Sequence, residues 1–165
     1  MNKLKRNIHV IGLNSFKLQD YSREIQNLFF QIKYVAVPQS FSSEIQGWMK
    51  EKDIQDKKFF VSKSNLQLIE WLKSIDQDLI LFSRGDPLWY GIGRILLEHF
   101  SSKELLFYPS KTCVQLAFSK LKKPWQNTKI ISMHGRDSIE LTKYLSQKEK
   151  SIAILTDPKN NSLEL

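Results

Sequence analysis

Short apolar runs alternate along the chain with segments whose apolar residues recur at every third or fourth position. The first run, at residues 8–11, is rich in β-branched residues and predicts a strand, with Gly12 as its exit turn. Apolar side chains then recur at helical spacing through residues 22–33, which predicts a helix with Asp20 as its cap. Strand and helix therefore follow one another from the start.

The same alternation continues to the end of the chain. Further strands are predicted at 34–37, 59–61, 78–82, 105–108, 130–133 and 152–155. Further helices are predicted at 66–75, 92–99, 114–121 and 137–145, whereas the pattern at 41–49 is ambiguous. The continuous apolar run at 78–82 is typical of a parallel strand covered on both faces. The pattern predicts an α/β fold with a mostly parallel sheet.

The pattern restarts after Pro109, although no Gly- or Ser-rich linker marks the place. We predict an N-terminal α/β domain at 1–110 and a second α/β domain that starts at 111–165. After the last strand the chain ends at Leu165, just as another helix begins. We therefore interpret the second domain as incomplete and the chain as a fragment of a larger protein.

Composition narrows the class of protein. The 165 residues are 41% hydrophobic and 12% aromatic, which is typical of a folded domain. No apolar run reaches the roughly 18 residues of a membrane span, and the N-terminus does not resemble a secretion signal. The single cysteine and three scattered histidines favour a reducing compartment and no metal site. We expect a cytoplasmic protein that does not bind a membrane.

The formal charge of +8 favours an anionic partner. Nucleic acid, an acidic membrane surface and a ligand with several carboxylates all fit this charge. The lysines and arginines are scattered along the chain, however, rather than clustered with aromatic residues.

The segment 83–94 carries the richest candidate chemistry. It follows the most convincing strand and precedes a helix, at the carboxyl end of the sheet where open α/β folds bind ligands. Gly85 allows close backbone approach, Pro87 stiffens the loop, and Asp86 supplies a carboxylate or an Asx turn. These features alone are about as common in purely structural turns.

The segment is, however, part of a longer resemblance. Gly-Asp-Pro-Leu-Trp-Tyr-Gly-Ile-Gly-Arg at 85–94 resembles the signature of the tetrapyrrole methylases, closest to the subfamily that methylates C5 of precorrin-6y or cobalt-precorrin-7. Residues 109–118 are similar to the family's Pro-x-x-Ser-Ser-x-Gln-Leu-Ala-Phe segment. Its Pro-Trp, Ser-Leu-His-Gly-Arg and Leu-Thr-Asp elements are matched at 124–126, 132–136 and 155–157. The resemblance is dense from about residue 80 to 157 and weak before that.

The resemblance implies an enzyme of two α/β domains that folds S-adenosyl-L-methionine into the cleft between them. It implies that the methyl acceptor is a corrin precursor, a polycarboxylate tetrapyrrole of cobalamin biosynthesis. The residues that it assigns to the methyl donor are Arg84, Gly85, Asp86, Trp89, Thr112, Cys113, Leu155 and Thr156. Since the sequence places no basic residue next to Cys113, we interpret that side chain as a small packing residue rather than a nucleophile.

The residues expected to bind the acceptor match the family pattern less well than those expected to bind the methyl donor. The family opens with Val-Gly-x-Gly-Pro-Gly, whereas this chain has Gly-Leu-Asn-Ser-Phe at 12–16, so Asn14 and Ser15 fall in an altered substrate loop. Arg84, Arg94 and Arg136 are candidates to pair with substrate carboxylates, with a solvated surface role as the alternative for Arg94. His134 is the one candidate acid–base group, and a structural role explains it equally well.

Alternative functions stay open. The nearest is a methylase of the same family that acts at another ring position or on another substrate. A basic nucleic-acid-binding module is disfavoured by the scattered charge, and a non-catalytic homologue is kept open by the altered loop. Homodimers are usual in the resembled family, and its C5 module is often fused or paired with a methyltransferase that handles C15 and decarboxylation.

Overall fold

The computed structural model describes residues 6–14, 18–133 and 139–157, apart from the side chain of Glu140. The chain divides into two compact units, Met1–Thr112 and Cys113–Leu165. Across the described ranges, every helix is too short or too polar to cross a membrane. The predicted domains at 1–110 and 111–165 stay a prediction, since compactness alone does not establish independent folding.

The first unit is a five-stranded sheet with helices between its strands. Its strands are β1 (Ile8–Leu13), β2 (Tyr34–Pro38), β3 (Lys58–Ser62), β4 (Leu79–Arg84) and β5 (Leu105–Tyr108). Its helices are α1 (Arg23–Gln31), α2 (Gln39–Glu51), α3 (Asn65–Ser74) and α4 (Gly93–His99). The strand order is β3-β2-β4-β1-β5, and each neighbouring pair is parallel. The predicted α/β class with a mostly parallel sheet is confirmed.

The two central strands are buried on both faces, which explains their continuous apolar sequences. Strand β4 pairs with β1 on one side and β2 on the other. Ile80 and Phe82 pack into one core cluster with Phe29, while Leu81 joins a second cluster with Leu72. Each such side chain contributes about 1.5–3 kcal/mol when fully buried.

Three local predictions need correction or completion. Strand β1 continues through Gly12, which is not an exit turn. Asp20 lies in a short 3-10 turn, and the cap of α1 is Ser22, whose side chain accepts from the Ile25 N–H. The ambiguous segment at 41–49 lies within helix α2, and Ile45 on one face of this helix is buried in the core.

The second unit carries the second strand–helix pattern. It contains α5 (Cys113–Leu121), β6 (Lys129–Ser132), α6 (Ile139–Ser146) and β7 (Ile152–Leu155). The two strands pair in parallel, with Lys129 opposite Ile152. Its core is small and centres on Ile131, Met133 and Leu141.

Candidate functional site

The exits of three neighbouring strands, β1, β4 and β5, meet at one edge of the sheet. The Gly85 N–H donates a hydrogen bond to the Leu13 carbonyl over 2.7 Å. A Cβ placed on Gly12 would lie 2.2 Å from the Gly85 carbonyl oxygen and 2.8 Å from the Ser110 Cβ. Both distances lie well inside van der Waals contact, so glycine is required where the three segments meet.

Asn14 joins the exit of β1 to the segment that follows β5. Its Nδ2 donates to Ser110 Oγ over 2.8 Å at the solvent-facing surface. The side chain that the sequence assigns to the substrate loop is therefore held beside Ser110, a residue that sequence reasoning did not select. The position of Ser110 one residue after Pro109, within a matched motif, was the available signal.

The loop after β4 is a compact turn with its own hydrogen bonds. Gly85 has φ of +56°, a left-handed conformation that side-chain-bearing residues adopt with strain. Asp86 Oδ1 accepts from the Leu88 N–H over 2.8 Å, which makes the predicted Asx turn. The Pro87 carbonyl accepts from the Gly93 N–H over 2.7 Å, so the loop leads directly into α4.

Two aromatic residues lie on this loop. The rings of Trp89 and Tyr90 pack edge to face with centroids 5.0 Å apart. Tyr90 has φ of +50° and is 53% exposed. Because a left-handed aromatic residue is strained and its ring is largely in water, we add Tyr90 to the candidate binding residues. The sequence motif contains Tyr90, but spacing alone does not single it out.

Three titratable side chains with little access to water lie at β1 and β5: His9 is buried, and Tyr21 and Tyr108 are half-buried. The Tyr21 hydroxyl lies 3.5 Å from the Gly12 carbonyl, and burial raises the pKa of Tyr21 to about 12. His9 Nδ1 lies 3.0 Å from the Tyr108 hydroxyl. Burial lowers the pKa of His9 and raises the pKa of Tyr108. These groups therefore stay uncharged near neutral pH and act as structural hydrogen-bonding partners.

The groups at this edge are suited to binding and positioning a ligand. It presents glycine backbone, one carboxylate and aromatic surface. Within the ranges that the structure describes, no three His, Cys, Asp or Glu side chains cluster as a metal site requires.

Sequence comparison finds relatives of one kind. Over 70 residues, 42% of the chain, it is 30% identical to a cobalt-precorrin-7 C(5)-methyltransferase of Salmonella typhimurium. Over 77 residues, 47% of the chain, it is 26% identical to a decarboxylating precorrin-6Y C(5,15)-methyltransferase of a Sinorhizobium species. The matched segments span 35% and 19% of these relatives' lengths, respectively. No family model matches the chain.

Solved structures share the fold over nearly the whole chain. A cobalamin biosynthesis precorrin-6Y methylase from Archaeoglobus fulgidus matches with a TM-score of 0.68, covering 96% of this chain and 77% of that one at 19% identity. The methyltransferase CobJ matches with a TM-score of 0.58 over 87% of this chain and 62% of its own, at 13% identity. The chain is thus similar in sequence to cobalamin-biosynthesis methyltransferases over less than half of its length, and it shares the fold of solved methylases of that pathway.

The segment that resembles the tetrapyrrole methylase signature contains three donor candidates at the end of β4 and just after it, and their side chains and backbone differ in what they contact. Gly85 and Asp86 build the turn described above. The Arg84 side chain is directed away from that turn, since its Nε donates to Ser40 Oγ over 3.1 Å and its guanidinium lies 5.7 Å from the centre of the Phe41 ring. Arg84 is thus a candidate for binding anions beside α2 rather than for shaping the donor loop.

The remaining donor candidates differ in exposure. Thr112 is buried at the end of the first unit, whereas Cys113 is exposed at the start of α5. The interpretation of Cys113 as a packing residue is therefore wrong. In the second unit, Leu155 ends β7 and its carbonyl accepts from the Met133 N–H over 2.8 Å, while Thr156 is exposed.

The structure describes only some of the residues that the sequence proposes for binding the acceptor. The Arg94 guanidinium forms a 2.6 Å ion pair with Glu98 one turn along α4, with 76% of its side chain exposed. That geometry matches the surface alternative for Arg94. Ser15, His134 and Arg136 lie outside the described residues.

Proposed function

We propose that the chain is the C5-methylating module of an S-adenosyl-L-methionine-dependent methyltransferase that acts on a corrin precursor in cobalamin biosynthesis. The names of both curated relatives place methylation at C5 of precorrin-6Y or cobalt-precorrin-7. The observation that carries the proposal is the convergence of β1, β4 and β5 around Gly12 and Gly85. This convergence brings Asn14 of the altered loop, the Gly85 turn and Ser110 together at one edge.

The Gly85 turn fits a bound donor. A Cβ on Gly85 would have one neighbouring atom within 4 Å, the Lys111 carbonyl oxygen at 3.8 Å, so the backbone here is open to a ligand. Asp86 supplies a carboxylate for hydroxyl or ammonium groups, and Trp89 supplies an aromatic face. By resemblance, Arg84, Thr112, Cys113, Leu155 and Thr156 also belong to the donor site.

S-adenosyl-L-methionine supplies a methyl group already activated by the sulfonium, so the protein's work is positioning. Holding donor and acceptor in line, in a site that excludes water, accelerates such a transfer without an acid–base pair. We assign Asn14, Ser15 and Arg136 to the acceptor, and His134 is the candidate for removing a proton. The charge of +8 attracts a polycarboxylate acceptor over distances of about a Debye length.

A calorimetric titration with S-adenosylhomocysteine tests the donor site. The Asp86→Asn variant keeps a side-chain oxygen for the Leu88 N–H but removes the charge. We expect micromolar binding by the native chain and an affinity about tenfold lower in the variant, the difference between a charged and a neutral hydrogen bond. Asp76→Asn, at an exposed position in the turn before β4, is the matched control and should bind as the native chain does.

No heat from a folded chain, or equal losses in the Asp86 and Asp76 variants, would overturn the assignment of the donor to this loop.

We also propose a cytoplasmic homodimer, fused to or paired with a second methyltransferase that handles C15. The name of the Sinorhizobium relative, which covers both positions and decarboxylation, supports the pairing. Sedimentation velocity across a concentration series checks the dimer, and a single species of 19.4 kDa at all concentrations would contradict it.

A further inference from the structure

A second part of the sheet edge, away from Gly12, forms a pocket of about 370 Å³. It lies where β2, β3 and β4 end and where α3 begins. Leu68, Leu81 and Ile92 form part of its apolar wall, and Lys63, Ser64 and Arg84 are polar residues that line it. A site with an apolar wall and basic residues suits a ligand with an apolar body and an anionic end.

The wall of this pocket contains a buried hydroxyl with an unmet hydrogen-bonding requirement. Ser83 is 6% exposed and lines the pocket. Among the residues that the structure describes, Ser83 Oγ has no hydrogen-bond partner, and it is inaccessible to water. Buried hydroxyls are normally paired, because leaving one unpaired is costly. A ligand oxygen would provide the missing partner once the Ser83 side chain rotates towards the pocket that this residue lines.

The same pocket receives the beginning of α3. Ser64 caps this helix, and its side chain accepts from the Gln67 N–H over 3.3 Å. The other first-turn N–H groups have no acceptor within the helix, as at every helix start, and they carry the positive end of the helix dipole. The Ser62 hydroxyl donates to the Ser64 carbonyl, which fixes the approach to the cap. A helix start, an unpaired hydroxyl and a lysine therefore line one pocket.

We propose that this pocket binds one carboxylate-bearing side arm of the tetrapyrrole acceptor. Ser83 Oγ and the first turn of α3 donate hydrogen bonds to the carboxylate, and Lys63 is its counter-charge. Tyr90, which also lines the pocket, presents its exposed ring to the apolar part of the ligand. The proposal rests on the proposed function for the identity of the ligand. It places an anchor for the acceptor on the β2 side of β4, whereas Gly12 lies on the neighbouring strand β1 at the other side.

Uroporphyrin, a stable fluorescent tetrapyrrole with eight carboxylates, is the probe. Its fluorescence anisotropy is titrated with the full chain and with variants at physiological salt. We expect Ser83→Ala and Lys63→Gln each to raise the dissociation constant by about five- to tenfold, as for loss of a hydrogen bond to a charged group. Lys73→Gln, which removes the same charge at the other end of α3, should change it by less than about twofold.

Thermal unfolding of Ser83→Ala separates binding from folding. Removal of an unpaired buried hydroxyl should leave the melting temperature unchanged or raise it. Weaker uroporphyrin binding by a variant that is no less stable supports the anchor. Native affinity in both pocket variants, or equal losses in the Lys63 and Lys73 variants, overturns it.

The S-adenosylhomocysteine titration of the same variants keeps the two proposals apart. We expect Ser83→Ala and Lys63→Gln to bind S-adenosylhomocysteine as the native chain does. If the chain binds S-adenosylhomocysteine and neither substitution changes the affinity for uroporphyrin, only the proposed carboxylate anchor is overturned. If a folded chain binds uroporphyrin through Lys63 but binds no S-adenosylhomocysteine, the methyltransferase proposal falls and the carboxylate pocket stands.

Discussion

At the scale of single residues, the candidate site depends on a glycine at position 12, where no side chain fits. Gly12 leaves room for the Gly85 carbonyl and for Ser110, which belong to segments far apart in the sequence. In Gly47, on α2, a Cβ would meet no atom within 4 Å. The two glycines look alike in the sequence, and only the packing distinguishes them.

We predict opposite effects of alanine at these positions. Gly12→Ala should lower the free energy of unfolding by about 1–3 kcal/mol, because the new methyl group forces the three strand exits apart. Gly47→Ala should raise it by up to about 1 kcal/mol through the better helix propensity of alanine. Urea unfolding of both variants checks this, and a destabilised Gly47→Ala would show that α2 does not tolerate substitution there.

His9 gives the protein a pH-dependent stability. Burial is the largest cause of its lowered pKa, and Asp78 and Glu24 oppose the shift. Below pH 6.5, the usual pKa of histidine, the unfolded chain takes up a proton that the folded chain does not yet bind, because the pKa of His9 is lowered in the folded state. The contribution of His9 to the free energy of unfolding is therefore fully present above pH 6.5, and it declines as the pH falls towards the pKa of His9 in the folded state.

Unfolding in urea at pH 7.5 and 5.5 tests the histidine. The native chain should lose stability at the lower pH by at most about 1.4 kcal/mol per pH unit for this one proton. His9→Gln, which cannot take up the proton, should show a smaller loss over the same interval. Equal losses in the two proteins would place the pH dependence elsewhere.

At the scale of elements, the sequence predicts the strands and most helices because their pattern is local. The run at 78–82 is recognisable as a buried strand without knowledge of its partners, and β4 confirms it. The helix α2 could not be assigned, since Gly47 and scattered polar residues obscure a face that is defined by its burial against other elements. Caps are also local, yet Asp20 and Ser22 compete for one helix, and the backbone decides for Ser22.

The same limit applies to the site. The Gly85-Asp86-Pro87 turn was predictable, because its glycine, carboxylate and proline act within a few residues. The pairing of Asn14 with Ser110 and the unpaired hydroxyl of Ser83 depend on segments brought together by the sheet. No spacing in the sequence encodes these contacts.

Ser64 provides a test at the level of one helix. Ser64→Ala removes the side-chain acceptor for the Gln67 N–H and should cost about 1 kcal/mol of stability. Ser74→Ala is the matched control in the last turn of α3, where the hydroxyl donates to the Trp71 carbonyl at the exposed surface. That change should be within about 0.5 kcal/mol of neutral. Equal effects would mean that capping does not set the stability of α3.

At the scale of the whole molecule, apolar burial is unevenly shared between the two units. Two large clusters fill the first unit on both faces of its sheet. Within its described residues, 113–133 and 139–157, the second unit has two paired strands and a cluster of three buried residues. A two-stranded sheet with so small a core is marginal by itself.

We therefore predict different behaviour of the two units when each is produced separately. Residues 1–112 should give an α/β circular dichroism spectrum and one cooperative urea transition. Residues 113–165 should show no cooperative transition. If the first fragment fails to fold, its stability depends on the second unit, and the predicted domain division is contradicted.

The strand order also has a consequence for synthesis of the protein. Because strand β1 pairs with β4 and β5, Ile8 has no strand partner until Leu79 and Leu105 have been synthesised. At about 5–20 residues per second, β4 follows β1 out of the ribosome by roughly 4–14 s. Throughout that interval the nascent chain carries the apolar strand β1 without its partner β4, and such a strand is a template for pairing with other chains. Strand β1, the first strand of this sheet to be made, thus acquires its partners late, and we expect chaperones that bind it during translation to raise the yield of native protein.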